Sequence, residues 1–256
     1  MKQGIYEQSA ALVYPIGKRY AKDERAWRYA KAGYALVPGW AVLTYISSVE
    51  GGTPTGPVTI AAAALAGATA ITCTAQGDVV ADHYAGGYAV IKMGAANPYH
   101  VSHRIKSNTG ALTGATFTVT LENPLAAALG ADAIVALYES PFADVRRGAS
   151  GQGGIGNPEG YGAFVGIPGI AVTADYYFWL QTWGPCVAIP NEYFGAGTDE
   201  HMAYFWRDGS IVPTTSGEAT NNKPALQLAG PVLPYTGPTG SGFDMPEPLV
   251  SLQLFP

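Results

Sequence analysis

Charge is scarce in this sequence. Only 13% of its 256 residues are Asp, Glu, Lys or Arg, about half the roughly 25% of an average soluble domain. The balance is acidic, with a net charge of −5 and a pI near 5.3, which argues against the basic face of a nucleic-acid binder. The basic residues that do occur gather early, at Lys18, Arg19, Lys22, Arg25, Arg28 and Lys31, among the acids Asp23 and Glu24. That mixture reads as a solvated or docking segment rather than a phosphate track. Cysteine is limited to Cys73 and Cys186, so no framework of disulfides holds the fold. Two free buried thiols are favoured over a single bridge. No apolar leader follows Met1-Lys2-Gln3-Gly4, and the run Ile60–Ala66 stops at Gly67, far short of the ~20 residues of a membrane helix. The expectation is a soluble protein made in a cytoplasm, with neither nucleic acid nor membrane as partner.

Groups that carry chemistry are thin as well. The histidines are His83, His100, His103 and His201. With Asp82 they can be drawn as a metal cluster, but they lack tight ligand spacing, and surface hydrogen-bonding roles are the better reading. Asp175, Asp199 and Glu200 are the acids that a glycosidase-like pair would need, and nothing in the spacing places two of them across a cleft. The Gly-rich stretch Gly151–Gly156 lacks the Lys-Ser/Thr ending of a phosphate-binding loop, and no Gly-x-Ser-x-Gly elbow occurs. The expectation is no enzyme, no cofactor and no metal.

What is abundant is turn and strand material: 33 Gly, 19 Pro and 16 Tyr. The densest apolar run lies between Val165 and Cys186. Read with a period of two, Tyr177, Trp179, Gln181 and Trp183 share one face, and Tyr176, Phe178, Leu180 and Thr182 the other. Aromatic and β-branched residues favour a pleated strand, bounded here by Gly169 and Gly184-Pro185. A strand apolar on both faces must be covered on both, by a second sheet or by another subunit. Ordinary sandwich core is the plainer reading. The sharper one sets an aromatic face against a neighbouring protomer, since Trp and Tyr are enriched at such contacts.

Further short strands are expected at Val42–Ile46, Ile71–Thr74, Tyr88–Ile91, His103–Lys106, Thr116–Glu122 with Phe117, Val119 and Leu121 inward, Ile134–Tyr138, Leu226–Leu228 and Val250–Leu254. Asn123–Gly130 carries an N-cap, a Pro at the first helical position and a Gly stop, which predicts a short helical turn. The fold class is therefore all-β, mainly antiparallel strands in a sandwich or barrel, with an extended N-terminal arm and few helical turns. Residues 1–25 form the arm, 26–57 and 141–256 a β-rich body, and 58–140 a small barrel or sandwich module.

One resemblance bears on function. Glu24–Gly33 (Glu-Arg-Ala-Trp-Arg-Tyr-Ala-Lys-Ala-Gly) with Leu36 and Pro38-Gly39 resembles an N-terminal signature of small virion structural proteins of tailed phages and prophages. Gly67-Ala68-Thr69, Tyr84–Tyr88, Ile105-Lys106 and Leu121–Leu125 are similar to their middle, and Val165–Pro168 with Tyr176–Cys186 is the most specific part. Pro224–Gln227 sits where such proteins have a further short strand, so the likeness spans residues 24–230. The segment before Glu24 is longer than usual, and residues 191–213 are unusually rich in Asp, Glu, His and Trp.

The resemblance implies a capsid decoration or head-cement protein of a double-stranded DNA phage, sited on the capsid surface of the virion. Its partners would be the major capsid protein and further copies of itself, a homotrimer being favoured over a dimer. Trp27, Tyr29, Tyr176, Tyr177, Trp179 and Trp183 are the interface residues expected. A receptor- or glycan-binding fibre or spike component is the alternative.

Overall fold

Strand-forming residues with a period of two need a partner strand on each side and a cover on each face, and the chain meets both needs in two compact units. One unit comprises Met1–Tyr45 with Pro141–Pro256, the other Ile46–Ser140. The computed structural model describes residues 2–45, 57–92, 100–130, 133–148, 162–191, 194, 201–213, 226–233 and 248–256. Among the described residues every regular element is a strand, in keeping with an all-β class.

The first unit begins with β1 (Gln8–Ser9), β2 (Arg19–Lys22), β3 (Arg25–Lys31) and β4 (Val42–Thr44). The second unit follows with β5 (Pro57–Ala62), β6 (Ala70–Thr74), β7 (Tyr88–Lys92), β8 (His100–Asn108), β9 (Thr116–Leu121) and β10 (Ile134–Tyr138). The chain then returns to the first unit through β11 (Val145–Arg147), β12 (Phe164–Pro168), β13 (Tyr177–Val187), β14 (Met202–Phe205), β15 (Ile211–Pro213), β16 (Leu228–Pro231) and β17 (Leu249–Gln253).

The second unit is a closed antiparallel barrel in the order β10-β5-β6-β9-β8-β7. Closure removes the unpaired edges that short strands would otherwise expose. Alternation decides which side chains fill it. Ile71 and Cys73, Ala89 and Ile91, Phe117, Val119 and Leu121, and Val135 and Leu137 all point inward and are buried in one core. The helical turn expected at Asn123–Gly130 does not form. Its backbone is used across the barrel mouth instead: Leu125 N donates to Ala68 O at 2.8 Å and Leu129 N to Ala64 O at 2.7 Å. Leu125 and Leu129 are thereby buried in the barrel core, which outweighs the local capping pattern.

In the first unit the expected central stretch is two strands, β12 and β13, antiparallel neighbours joined by residues 169–176. β13 runs on through Gly184-Pro185, expected as its stop, because β17 pairs with both residues. β13 is the hub of an eight-stranded sheet of order β11-β4-β12-β13-β3-β2, with β1 and β17 also paired to it. One of its faces carries Phe178 and Leu180 into a core with Ala30, Leu36, Val42, Phe142, Val145, Val165 and Val172. Further along, Cys186 joins Phe164, Ile167, Val250 and Leu252 in a core shared with Ala203, Phe205, Ile211 and Ala229 of the small sheet β15-β14-β16. The remaining face bears the aromatics.

The segment 1–25, expected as an arm without a core of its own, is from residue 2 onward built into this sheet, with Ile5, Val13, Tyr14 and Tyr20 packed on its aromatic face. β1 pairs Gln8 with Phe178 and Ser9 with Tyr177. β2 forms a hairpin with β3 across Asp23-Glu24, Asp23 taking φ 54°. Aspartate is one of the few non-glycine residues that enters this region at modest cost. The Gly-rich run 151–156 and the acids Asp199 and Glu200 lie outside the described residues.

Candidate functional site

The aromatic face is built by two neighbouring strands. In the antiparallel register of β3 and β13, Trp179 lies opposite Tyr29 and Gln181 opposite Trp27. Strand alternation therefore puts Trp27, Tyr29, Tyr177 and Trp179 on one surface. Tyr29 and Trp179 meet edge to face with ring centroids 5.0 Å apart, and Tyr177 stacks on Tyr29 at 6.1 Å with 8° between the planes. Tyr20 of β2 adds contacts of 5.8 Å to Trp27 and 5.7 Å to Trp179. Such pairs are worth about 0.5–1.5 kcal/mol each beyond area burial.

The segment from Gln3 to Tyr14 closes this surface. Ile5, Val13 and Tyr14 pack on Trp27, Tyr29 and Trp179. Tyr14 lies 5.4 Å from the Tyr29 ring and 5.2 Å from that of Trp179. The polar tips of two of the buried rings, Tyr29 and Trp179, are satisfied by one residue, Gln3, which is itself 4% exposed. The Tyr29 hydroxyl donates to Gln3 Oε1 at 2.6 Å, and Trp179 Nε1 donates to the Gln3 carbonyl at 3.1 Å. Gln3 Nε2 donates to Glu7 O at 2.9 Å and to Tyr177 O at 3.1 Å. Val13 N donates to the Tyr29 hydroxyl at 3.3 Å. Burial raises the Tyr29 pKa above its ordinary 10.0; the Val13 bond opposes the shift, while Tyr177 and Tyr14 add to it. The ring is held as a neutral phenol.

Of the six expected interface residues, three are interior. Trp27, Tyr29 and Trp179 are at most 3% exposed, and their cover is the chain's own N-terminal segment. Tyr177 and Trp183 are half-buried on β13, and Tyr176 packs at the edge of the core on the other face. Gln3 and Tyr14 were not singled out by the sequence. A lone Gln in an aperiodic stretch carries no pattern, and its role comes from a fold-back that no local signal marks.

A second surface lies on the barrel wall. Tyr88 and Tyr138 are cross-strand partners, followed along β7 and β10 by Val90 with Ala136 and Lys92 with Ile134. These residues alternate with the inward Ala89, Ile91, Val135 and Leu137, so they face out. Tyr88 is 43%, Tyr138 49% and Ile134 46% exposed. Period-two reading of these strands places the three outward, yet they are large and apolar or aromatic, which makes the row an exposed patch.

The groups weighed for chemistry are dispersed. Asp175 sits in the turn before β13 at φ 65°, its carboxylate 2.8 Å from Lys31 Nζ. That bond holds the Asp175 pKa below its usual value and raises that of Lys31. His83 Nε2 lies 3.0 Å from Glu139 Oε1, and His103 is buried in the barrel wall. Among the described residues no group of three or more His, Cys, Asp or Glu side chains is placed to hold a metal ion. Cys73 and Cys186 are free and buried, one in each unit, and burial pushes both thiols up to about 12. Both are therefore poor nucleophiles. No protein family, no curated protein and no solved structure matches the chain, so its function has to be read from its own residues and geometry.

Proposed function

We propose that this chain is a structural protein of a tailed-phage virion that decorates the outer shell of the head and stabilises it by bridging capsid subunits. The observation that carries the reading is the row Tyr88, Tyr138 and Ile134 on the wall of a closed barrel. A barrel has no strand edge to offer, so two exposed tyrosines and an isoleucine on its side, with Lys92 beside Ile134, are a surface suited to another protein. The low charge density of the chain and its resemblance to virion structural proteins point the same way. A partner that binds only the assembled lattice shifts the equilibrium away from disassembly by mass action. Several copies joined as a homo-oligomer, a trimer in this reading, would multiply weak contacts through effective concentration.

The test is occupancy on purified shells. The full chain is expected at hundreds of copies per particle, and a Tyr88→Lys/Tyr138→Lys variant is expected to lose at least tenfold in occupancy while keeping its β-sheet spectrum. Wild-type copies numbering a dozen or fewer would overturn the decoration reading. The adjacent exposed tyrosines also suit stacking on a sugar ring, which favours a glycan-binding fibre or spike as the second reading. Reproducible glycan-array binding that is lost in the same variant would select it.

A further inference from the structure

We infer that the groove over Trp27, Tyr29 and Trp179 is an exchange site, able to accept the N-terminal segment of a second copy of this chain in place of its own. What the groove recognises is local to residues 3–14: the Gln3 carboxamide and carbonyl, the Val13 amide, the Tyr14 ring and the two-residue strand β1. All of those groups travel together, and none depends on the segment being covalently attached to the β3 beneath it. The attachment is a tight turn at Pro15–Lys18. It is closed by one backbone hydrogen bond, Lys18 N to Pro15 O at 3.0 Å, with Gly17 at φ 74°. Beyond it the chain is fixed to β3, since Gly17 N donates to Tyr29 O at 2.8 Å and Tyr29 N to Lys18 O at 2.9 Å. Straightening the turn gives up that bond and disturbs the packing of Ile16 on the Phe178 core and the bond from Arg28 Nη1 to Gly17 O at 3.4 Å. It leaves the groove contacts of residues 3–14 available to a neighbour's segment. Proline already biases Tyr14 towards extended backbone. Hinges of this kind are where identical elements exchange between protomers.

The outer side of the segment supplies the second observation. Tyr6 and Leu12, on either side of β1, are 64% and 56% exposed, in a segment whose inner side chains are buried. Two large exposed side chains on the outer side of a seated segment are better covered between two protomers than on one. In dilute solution a short tether gives an effective concentration of about millimolar, so the closed form dominates until the copies are brought to comparable concentration. A lattice that lines copies up side by side reaches that regime. The inference deepens the self-association in the function proposed above and rests on that reading only for where the exchange is used.

The experiment mixes two full-length variants of different tag length, each with one added cysteine, Ser9→Cys and Tyr177→Cys, whose positions are register partners. The native thiols are buried, so the introduced ones dominate oxidation. Exchange predicts a disulfide-linked heterodimer whose yield rises at least tenfold between about 10 µM and about 1 mM chain, well above that of a Leu65→Cys/Tyr177→Cys control on the barrel. A yield at the control level throughout overturns the inference. The double variant Ser9→Cys/Tyr177→Cys checks the fold, because a closed chain gives an intramolecular bridge. Light scattering of the wild-type chain needs no substitution, and a strictly monomeric mass up to about 1 mM also overturns it. The bridged double variant separates the two proposals. If it still saturates shells while no heterodimer forms, exchange is wrong and decoration stands. If heterodimers form and shells stay bare, the reverse holds.

Discussion

Replacing Gln3 by alanine tests whether one side chain fastens the N-terminal segment to the aromatic face. The substitution removes three side-chain hydrogen bonds, to Tyr29, Glu7 and Tyr177. The Tyr29 hydroxyl is 0% exposed, so its proton is left without an acceptor under cover, and Tyr177 O loses a donor. Leaving the buried hydroxyl unsatisfied costs about 1–3 kcal/mol, and the lost bonds to the part-buried Glu7 and Tyr177 carbonyls bring the total to about 3 kcal/mol. For a cooperative unit of this size that is about 6–12 °C in Tm. The readout is selective because Trp27, Trp40, Trp179, Trp183 and Trp206 all lie in the first unit and none in the barrel. Tryptophan fluorescence in a urea titration therefore follows the body alone. Gln8→Ala is the matched control: its amide oxygen accepts from Thr173 N at 2.7 Å in an exposed setting, and less than about 0.5 kcal/mol is expected. If Gln3→Ala is no more destabilised than Gln8→Ala, the segment is not held in the way described, and the exchange groove loses its recognition element.

Gly184→Ala should cost more than about 3 kcal/mol in the same fluorescence titration, because left-handed backbone is expensive for alanine; Gly184 has φ 82° and its Cβ would lie 2.3 Å from Glu24 O. Gly67→Ala in the barrel is the contrast, with φ 86° and open space around the Cβ position, and should cost only about 1–2 kcal/mol, read by the urea midpoint for exposure of Cys73 because the barrel holds no tryptophan. The Tyr84 hydroxyl is buried in the barrel without a hydrogen-bond partner among the described residues, so Tyr84→Phe should leave the barrel as stable or stabilise it by about 1 kcal/mol, seen as a higher midpoint for exposure of Cys73. Burial raises the Tyr84 pKa from 10.0 to about 12. A raised folded value means that its share of stability is intact below pH 10 and disappears as pH climbs through about 12, a loss of about 2–3 kcal/mol that the Phe variant should escape. Neither thiol should react with a disulfide reagent in the native protein. With Cys73 and Cys186 in different units, pulsed labelling in urea should give two separate midpoints if the units unfold independently.

The strands were legible because a half-buried strand writes its facing into its own sequence. Phe117, Val119 and Leu121 alternate with threonines and are all buried, and Val250 and Leu252 behave likewise. Facing is a local property, while partnership is not. The doubly apolar stretch at Tyr177–Trp183 stated that both faces need a cover, but the same residues would suit a neighbouring protomer or a segment of their own chain equally well. What decides is the polar complement: a buried tyrosine hydroxyl and a buried indole N–H each require a partner, and here both find it in Gln3. A residue 26 positions from Tyr29 and 176 from Trp179 in the chain leaves no periodic trace. The expected turn at Asn123–Gly130 went astray for the matching reason, since a cap pattern describes what the backbone can do alone, and the barrel mouth offered Ala64 and Ala68 as better partners. The barrel-wall row is the intermediate case. Alternation tells that Tyr88, Ile134 and Tyr138 point outward, and only the closed topology shows that Tyr88 and Tyr138 are side by side. An outward tyrosine alone is ordinary surface; two in register, with Val90 and Ile134 further along the same face, make a patch.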